Sequence, residues 1–283
     1  MHNYSILVKS PFNCKLLIFT IFVLDIEMTL FFRSCTFILC LIIPLQVHSI
    51  NINKNISVNF ATEANYYPFE YLDDLKQIQG FDIDIANAVC QVANLTCKFH
   101  NQSFDSLLLT LQFGRFDAVI AALDITEERQ EKVDFSNSYY KSPPVFVSAM
   151  NNKKAFSIVG KFIGVQADSS NHQYLIKHAK NNSFIISYLS SSEAFIDLRG
   201  GEIDVVFADQ AVVADFLLQS NNTEKFSVKK TETVFLEKFS SGYGIAVKKG
   251  NNTLLERLNY GLKTIRENGT YQIIFEQYFN GIY

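Results

Sequence analysis

The stretch FDAVIAALDITEERQ, residues 116–130, decides the fold class of this chain. Its apolar run, residues 116–123, is typical of a strand that is buried in a parallel sheet. The run ends at Asp124, and Thr126 can then cap a short helix that begins with two glutamates. Arg129 lies in the first turn of that helix, where a cation opposes the helix dipole by about 0.3–1 kcal/mol. Two interpretations follow: Arg129 pairs with its acidic neighbours at the surface, or it binds an anion together with the helix N-terminus.

A second stretch has the same form. IDVVFAD, residues 203–209, is an apolar strand that ends in Asp209, and a helix follows it. Short strands and amphipathic helices alternate from about Asn51 onward, which is typical of an α/β fold. Ligands of open α/β sheets bind beyond the carboxyl ends of the strands. Two such sheets facing each other would place Arg129 and Asp209 on opposite walls of a cleft, where they suit a ligand with one carboxylate and one ammonium group. The other role open to Asp209 is that of a helix cap.

The composition argues against several classes of function. The chain has 283 residues and a formal net charge of −3, which does not favour a nucleic-acid surface. The sequence contains no recognisable nucleophilic triad, phosphate-binding loop or metal-ligand spacing. We therefore expect no catalytic residue, no metal, no cofactor and no nucleic-acid partner.

The N-terminal region has the layout of an export signal. Residues 28–49 contain Arg33, then a short apolar core, and end in a small-residue cleavage site at Ser49. This predicts a signal peptide and an exported, periplasmic protein. Residues 1–27 are then a mis-called extension, with synthesis starting at Met28. The alternative is a retained membrane anchor built from both N-terminal apolar runs.

Two cysteines remain beyond the predicted signal peptide. Cys90 ends a predicted helix and Cys97 lies in the β-rich segment that follows. In an exported protein, an isolated pair of this kind predicts a disulfide. A zinc site is a weak alternative, because no paired histidines accompany the cysteines.

The chain resembles the periplasmic amino-acid-binding proteins of ABC importers, solute-binding family 3, and within them the arginine- and lysine/arginine/ornithine-binding branch. The resemblance covers about residues 52–280. It rests on the cysteine spacing and on these segments: NYYPFEY (65–71), GFDIDIANAVC (80–90), the block from Phe104 to Tyr140, AFIDLRGGEIDVVFADQAVV (194–213) and GTYQIIFEQYF (269–279).

The resemblance implies a type II periplasmic-binding-protein fold. This fold has two lobes, each a mostly parallel sheet flanked by helices, and the ligand lies in the cleft between them. Lobe 1 would comprise residues 50–140 plus 241–283, and lobe 2 residues 141–240. The chain would cross between the lobes near Tyr139–Ser142 and Lys238–Ser241.

For the α-carboxylate of a ligand, the resemblance implies a clamp by Arg129. Thr126 and the backbone near Asp124 and Ser170 would add donors. One departure affects this assignment. The family commonly has Gly-Thr-Thr where this chain has Asp-Ser-Ser at 168–170, so the approach of the backbone to the carboxylate can differ.

For the α-ammonium, the resemblance implies Asp209, assisted by backbone carbonyls near Ala122. Some relatives have serines at the two positions before Leu123. This chain has alanines there, so polar contacts at these positions must come from the backbone.

For the ligand side chain, the resemblance implies aromatic walls from Tyr66 and Phe69 that stack on a guanidinium. Glu63, together with Asp124 or Glu70, would pair with that guanidinium. Two alternatives stay open: the aromatic residues belong to the core, and Glu63 is a solvated loop residue.

The implied function is capture of an L-amino acid, arginine or another basic one, by a monomer that delivers it to the membrane permease of an ABC importer. No chemistry is needed. The alternative is an enzyme of the same fold, similar to cyclohexadienyl or arogenate dehydratases, in which a carboxyl group of Glu63, Asp124 or Asp209 is a general acid.

Overall fold

The structure is a computed structural model that describes residues 56–150, 156–179, 181–231 and 241–280. The predicted extension, residues 1–27, and the predicted signal peptide, residues 28–49, lie outside the described residues. Within the described ranges, no helix combines the length and the apolar character needed to cross a membrane.

Two five-stranded sheets form the frame of the molecule. Across the first sheet the order is β5 (Leu95–Asn101), β1 (Ile56–Thr62), β6 (Ala118–Val119), β13 (Ala246–Lys248) and β7 (Val133–Phe135). Across the second it is β10 (Phe184–Tyr188), β9 (Phe162–Gln166), β11 (Val205–Asp209), β8 (Pro144–Ala149) and β12 (Phe226–Lys230). A small third sheet contains β2 (Asn65–Tyr66), β3 (Glu70–Leu72) and β4 (Ile78–Gln79).

The two large sheets share one pattern of strand directions. In each, the fourth strand in the order, β13 or β8, runs against the other four. In each, this reversed strand pairs with an apolar strand, β6 or β11, that leads to a predicted site residue. The prediction of an α/β fold with two lobes and mostly parallel sheets is confirmed.

The apolar run at residues 116–123 forms a shorter strand than predicted. Only Ala118–Val119 belong to the ladder, although Ile120 still donates its N–H to the carbonyl of Ala61 at 3.1 Å. Ala122 then takes a left-handed φ of 42°, which turns the chain out of the sheet. The residues that follow this turn therefore lie at the edge of the sheet rather than within it.

Eight α-helices flank the sheets in the described part of the chain. In chain order they are α1 (Phe81–Val92), α2 (Leu107–Gln112), α3 (Glu127–Lys132), α4 (Ser170–His178), α5 (Ser191–Gly200), α6 (Gln210–Leu218), α7 (Asn252–Glu267) and α8 (Thr270–Phe279). A capping box of Ser190 and Glu193 begins α5. The predicted break between the last two helices, at Asn268 and Gly269, is confirmed.

The N-terminus of α1 packs closely against the segment that precedes β3. Phe81 and Asp82 donate their N–H groups to the carbonyls of Pro68 and Phe69, each at 2.9 Å. Gly80 has a φ of 130°, and a Cβ atom there would lie 2.1 Å from the carbonyl oxygen of Phe69. Only glycine fits this close approach. At the other end of α1, Cys90 forms the predicted disulfide with Cys97 of β5.

Two connections join the large sheets. The first runs from the end of β7 at Phe135 to Pro144 and includes the predicted crossing at Tyr139–Ser142. The second lies between Lys230 and Ala246, and of the predicted crossing there only Ser241 is among the described residues. Tyr243 on this second connection forms β-bridges with both Asp124 and Tyr140. It therefore ties the two connections to the loop that follows β6.

Candidate ligand-binding site

A small cavity lies between the two large sheets, beyond the carboxyl ends of β6, β9 and β11. Its walls come from these residues: Glu63, Tyr66, Phe104, Ala121, Ala122, Asp124, Arg129, Gln166, Ser169, Ser170, Asn171 and Asp209. This is the place where a ligand of such a fold is expected. Seven of the nine predicted ligand-binding residues are in this wall.

Arg129 is buried, with 5% of its surface exposed, which excludes the surface interpretation. Its guanidinium donates to the backbone carbonyl of Asp124 at 3.1 Å and to that of Asp168 at 3.2 Å. The Glu128 side chain pairs with Lys132 at 2.8 Å. Burial lowers the pKa of Arg129, and the charges of nearby acids, Asp124 first, oppose that shift. An arginine held in this way can present its remaining donors to an anion.

The N-terminus of α4 also faces the cavity. Ser169 caps the helix by accepting from the N–H of His172, and Ser170 and Asn171 line the wall. The preceding residue, Asp168, has a left-handed φ of 56°. Glycine adopts this conformation freely, and Asp is among the other residues that tolerate it best. Ser170 donates its hydroxyl across the cavity to the carboxylate of Asp124.

Asp209 ends β11 and lies at the N-cap position of α6, yet its side chain makes no capping hydrogen bond. Its carboxylate accepts instead from the Tyr66 hydroxyl at 2.7 Å, from the Asn171 amide at 3.1 Å and from the Tyr243 hydroxyl. Burial raises the pKa of Asp209, whereas these donors and the charge of Arg129 act to lower it. The cap alternative is therefore excluded, and the carboxylate points into the cavity.

Glu63 follows β1 and reaches the opposite lobe. Its carboxylate accepts from the Gln166 amide at 2.7 Å, and only 6% of the residue is exposed. Burial raises the pKa of Glu63 to about 7, against the lowering effect of the Gln166 hydrogen bond. The solvated alternative for Glu63 is excluded. Contacts that cross the cavity among the described residues include Glu63 with Gln166, Tyr66 with Asp209, Asp124 with Ser170, and Arg129 with Asp168.

Two predicted residues lie outside the cavity wall. Phe69 is fully buried among other rings, with centroids 5.1 Å from Tyr140 and 5.3 Å from Tyr243. The prediction that it stacks on a ligand is corrected: the tight turn after Tyr66 directs its ring into the core. Thr126 caps α3 by accepting from the N–H of Arg129 at 3.3 Å. It therefore acts on the site through Arg129 rather than from the wall.

Five wall residues were not predicted: Phe104, Ala121, Gln166, Ser169 and Asn171. Gln166 ends β9, and Ser169 and Asn171 follow within five residues. The rule that ligands bind at strand ends, applied to β9 as it was to β6 and β11, would have found these three. Phe104 gave no such signal. Its ring lies 5.6 Å from the guanidinium carbon of Arg129, which is a tertiary contact that the sequence does not indicate.

No cluster of three or more potential metal ligands occurs in the described ranges. The site combines a guanidinium and a helix N-terminus with buried carboxyl groups. This arrangement can bind an anion and one or more cations of the same small molecule.

Comparison with known proteins identifies the family. Residues 58–281 match the bacterial extracellular solute-binding proteins, family 3. The chain is 40% identical over 223 residues to ABC transporter arginine-binding protein 1 of Escherichia coli K12, covering 78% of this chain and 90% of that protein. Among solved structures, an ancestral arginine-binding protein bound to arginine is 35% identical with a TM-score of 0.72, covering 79% of this chain and 98% of that one.

A further solved structure is that of an ancestral amino-acid-binding protein described as a precursor of cyclohexadienyl dehydratase. It is 27% identical with a TM-score of 0.69, and the match covers 79% of this chain and 95% of that one. Because the family match spans both sheets and all wall residues of the cavity, the chain belongs to family 3 of the bacterial extracellular solute-binding proteins.

Proposed function

We propose that this protein binds an L-amino acid with a basic side chain, arginine before the others, and delivers it to the membrane permease of an ABC importer. The observation that carries the proposal is the charge pattern of the cavity. One guanidinium, that of Arg129, shares the cavity with the carboxyl groups of Glu63, Asp124 and Asp209. The charges of a zwitterion balance Arg129 and one acid, and the remaining acids favour a ligand with a further positive charge.

The ligand carboxylate fits beside Arg129 and the N-terminus of α4. A guanidinium has five N–H donors, and two of them bond the carbonyls of Asp124 and Asp168. The others are available for a fork of two hydrogen bonds to a carboxylate. The first N–H groups of α4 have no partner within the helix, and the helix dipole favours negative charge at the same place.

The ligand ammonium fits between Asp209 and Asn171. An ammonium group has three donors and needs acceptor oxygens. The Oδ1 atom of Asn171 is buried and has no hydrogen-bond partner among the described residues, while the Asn171 amide already holds Asp209. An ammonium group would satisfy Asn171 and the Asp209 carboxylate together, with a backbone carbonyl near Ala122 as a third acceptor.

The ligand side chain fits toward Glu63. A guanidinium there would meet the Glu63 carboxylate, which is buried and poorly solvated, so the pairing would be strong. Tyr66 and Phe104 are the two aromatic residues of the wall, and a cation over such a ring gains about 0.5–2 kcal/mol. A neutral side chain would make neither interaction.

The setting of this function is an exported protein outside the cytoplasmic membrane. The family consists of extracellular solute-binding proteins, and the predicted signal peptide supports export. The arginine-binding relative from E. coli belongs to an ABC transporter, which supports a permease as the partner. We also propose that the protein acts as a monomer.

A dehydratase is the second candidate. The ancestral precursor of cyclohexadienyl dehydratase shares this fold. In addition, burial raises the pKa of Glu63 to about 7, a value suited to a general acid. The donors that surround Asp209 favour its charged carboxylate, and Asn171 adds an acceptor oxygen beside it. Both features favour binding of an ammonium group, so we propose that the protein is not an enzyme.

Calorimetric titration of the purified, ligand-stripped protein with L-amino acids tests the proposal. Arginine is expected to bind with a Kd of 1 μM or tighter, and lysine and histidine more weakly. Arg129→Ala should weaken all three at least about 30-fold, because a buried charged hydrogen-bond partner contributes about 2–5 kcal/mol. Arg115→Ala is the matched control, since Arg115 is exposed and outside the cavity wall, and it should bind normally.

The outcome that contradicts the proposal is a folded wild-type protein that gives no heat with any amino acid. A dehydratase assay on cyclohexadienyl substrates then decides the second candidate. Turnover that is abolished by Glu63→Gln would establish it.

A further inference from the structure

Two carboxyl groups lie directly beneath the cavity wall and do not line it. Glu70 belongs to β3 and Asp82 is the second residue of α1, and neither residue exposes any surface. Their side chains lie near enough to hydrogen-bond to each other. Two ionised carboxylates cannot do so, because neither has a donor. Both oxygens of Glu70 and Oδ1 of Asp82 are buried with no hydrogen-bond partner in the described part of the chain, and one proton shared by the pair would give these oxygens a hydrogen bond.

The other oxygen of Asp82 joins two parts of the molecule. Oδ2 accepts the N–H of Ala122 at 2.7 Å and the hydroxyl of Tyr139 at 2.6 Å. Ala122 lines the cavity in a left-handed conformation, which L residues avoid unless their surroundings hold them there. Tyr139 lies on the first connection between the sheets, where its carbonyl accepts from Arg266 and Tyr271.

The charge of the pair belongs on Asp82. Asp82 accepts two hydrogen bonds at Oδ2 and lies in the first turn of α1, where the helix dipole favours an anion. The charged group that acts on Glu70 from outside the pair is another acid, Glu63. The titratable groups that face the pair or its partners from neighbouring elements are therefore Glu63, Tyr139 and Tyr271.

The pKa values agree with this distribution of charge. Burial raises the pKa of Glu70 well above its usual value, and the charges of Asp82 and Glu63 raise it further. Burial raises the pKa of Asp82 only to about 6, because the N–H of Ala122 and the hydroxyl of Tyr139 oppose the shift. Both directions favour the proton on Glu70 and the charge on Asp82.

We propose that Asp82 is a positioning residue for the ligand site: its carboxylate holds the turn at Ala122 and ties it to Tyr139 on the first connection, while Glu70 donates the hydrogen bond that keeps this carboxylate in place. The proposal rests on the proposed amino-acid binding, and it adds a part of the machinery that never touches the ligand. It explains why a buried acid pair is present in an otherwise apolar region beneath the wall.

Two conservative substitutions separate the roles of the pair. In Glu70→Gln the amide can still donate to Asp82, so arginine affinity should stay within threefold of the wild type. In Asp82→Asn the acceptor for Ala122 and Tyr139 loses its charge, so arginine affinity should fall tenfold or more. Asp84→Asn is the matched control. Asp84 lies on the same helix and accepts a tyrosine hydroxyl, that of Tyr278, at 2.7 Å, but it does not contact the site.

Equal losses of affinity in Glu70→Gln and Asp82→Asn, or no loss in either, would overturn the proposal. If Asp82→Asn does not fold, Tyr139→Phe takes its place, since it removes one of the two donors to Asp82. That variant should bind arginine at least threefold more weakly, and unchanged affinity would overturn the proposal as well.

A measurement on the ligand-free protein tests the shared proton apart from binding. Glu70 has a raised pKa in the folded state, so folding that keeps it protonated becomes less favourable as pH rises above about 4.5. Relative to Glu70→Gln, the folding equilibrium constant of the wild type should fall as the pH rises from 6 to 8, by at most about tenfold per pH unit for one proton. If the folding equilibrium constant of the wild type, divided by that of Glu70→Gln, does not change with pH, the shared proton is overturned. Failure of the wild type to bind arginine would contradict the proposed function and leave this ratio interpretable.

Discussion

Arg129 shows at the level of one residue how an unfavourable local position can indicate a site. A cation in the first turn of a helix is disfavoured, and the side chain is also buried, which adds a desolvation cost. Both costs are offset when an anion binds. The same reasoning applies to Asp209, whose cap position carries no cap bond. Both residues were singled out from the sequence because each follows an apolar strand, at the edge where ligands of open α/β sheets bind.

We expect Glu63 to make ligand binding depend on pH. Its pKa is about 7 because of burial, and a ligand guanidinium would favour the ionised form and lower that pKa. Arginine binding should then release a proton below pH 7, and affinity should rise about tenfold from pH 6 to pH 8. Calorimetry in buffers of different ionisation enthalpy measures both quantities.

Glutamine is the control ligand for this prediction, since its neutral side chain gives no reason for such a rise. Glu63→Gln should remove the proton release and weaken arginine more than glutamine. Proton uptake by the wild type, or none, would contradict the role given to Glu63.

Phe69 shows what could not be predicted at this scale. A sequence places Phe69 next to site residues, but it does not give the direction of the ring, which the turn between β2 and β3 sets. Asn171 could have been found from its position after β9, and its burial beside Asp209 distinguishes it from the other asparagines of its region.

Among the elements, the start of α1 depends on a glycine. Gly80→Ala would place a methyl group 2.1 Å from the carbonyl oxygen of Phe69 and force an unfavourable φ. The free energy of unfolding should fall by about 2–3 kcal/mol, as measured by urea denaturation. Because Asp82 is two residues away, arginine affinity should fall too.

Gly200→Ala is the control, because Gly200 lies within α5 and the nearest atom to an added Cβ is 3.7 Å away. That substitution should change the free energy of unfolding by less than about 1 kcal/mol. Equal stability of the two variants would contradict the close packing inferred at Gly80.

The elements themselves were predicted unevenly. Both strands that lead to the site were predicted from their continuous apolar runs, and the helix after the first of them from its cap residue, Thr126. β7, β8 and β12 were not predicted. β8 begins at Pro144, and a proline argues against a strand, although its first position is one of the few that proline can occupy. β7 has only three residues, which is too short for a pattern.

For the whole molecule, the contacts across the cavity relate ligand binding to closure. We expect arginine to favour the closed form, because its contacts are complete only when both walls are present. Ser170→Ala removes a hydroxyl that donates across the cavity to Asp124. Small-angle X-ray scattering should then give a larger radius of gyration without ligand, and arginine affinity should fall about 2- to 12-fold, the value of one hydrogen bond.

Ser183→Ala is the matched control. The Ser183 hydroxyl donates to the Ile158 carbonyl at 2.8 Å, and this hydrogen bond lies within the lobe of the second sheet. It should leave both quantities unchanged. Identical behaviour of the two variants would show that the cross-cavity hydrogen bond does not hold the closed form.

The order of strands in the first sheet has a consequence for synthesis on the ribosome. β13 is the last strand of the described chain, yet it lies between β6 and β7. The first sheet therefore keeps a gap in its middle until residues 246–248 have been translated and have left the exit tunnel. The second sheet draws all its strands from residues 144–230. The second sheet, whose strands come later in the chain than β1, can thus be completed before the first sheet.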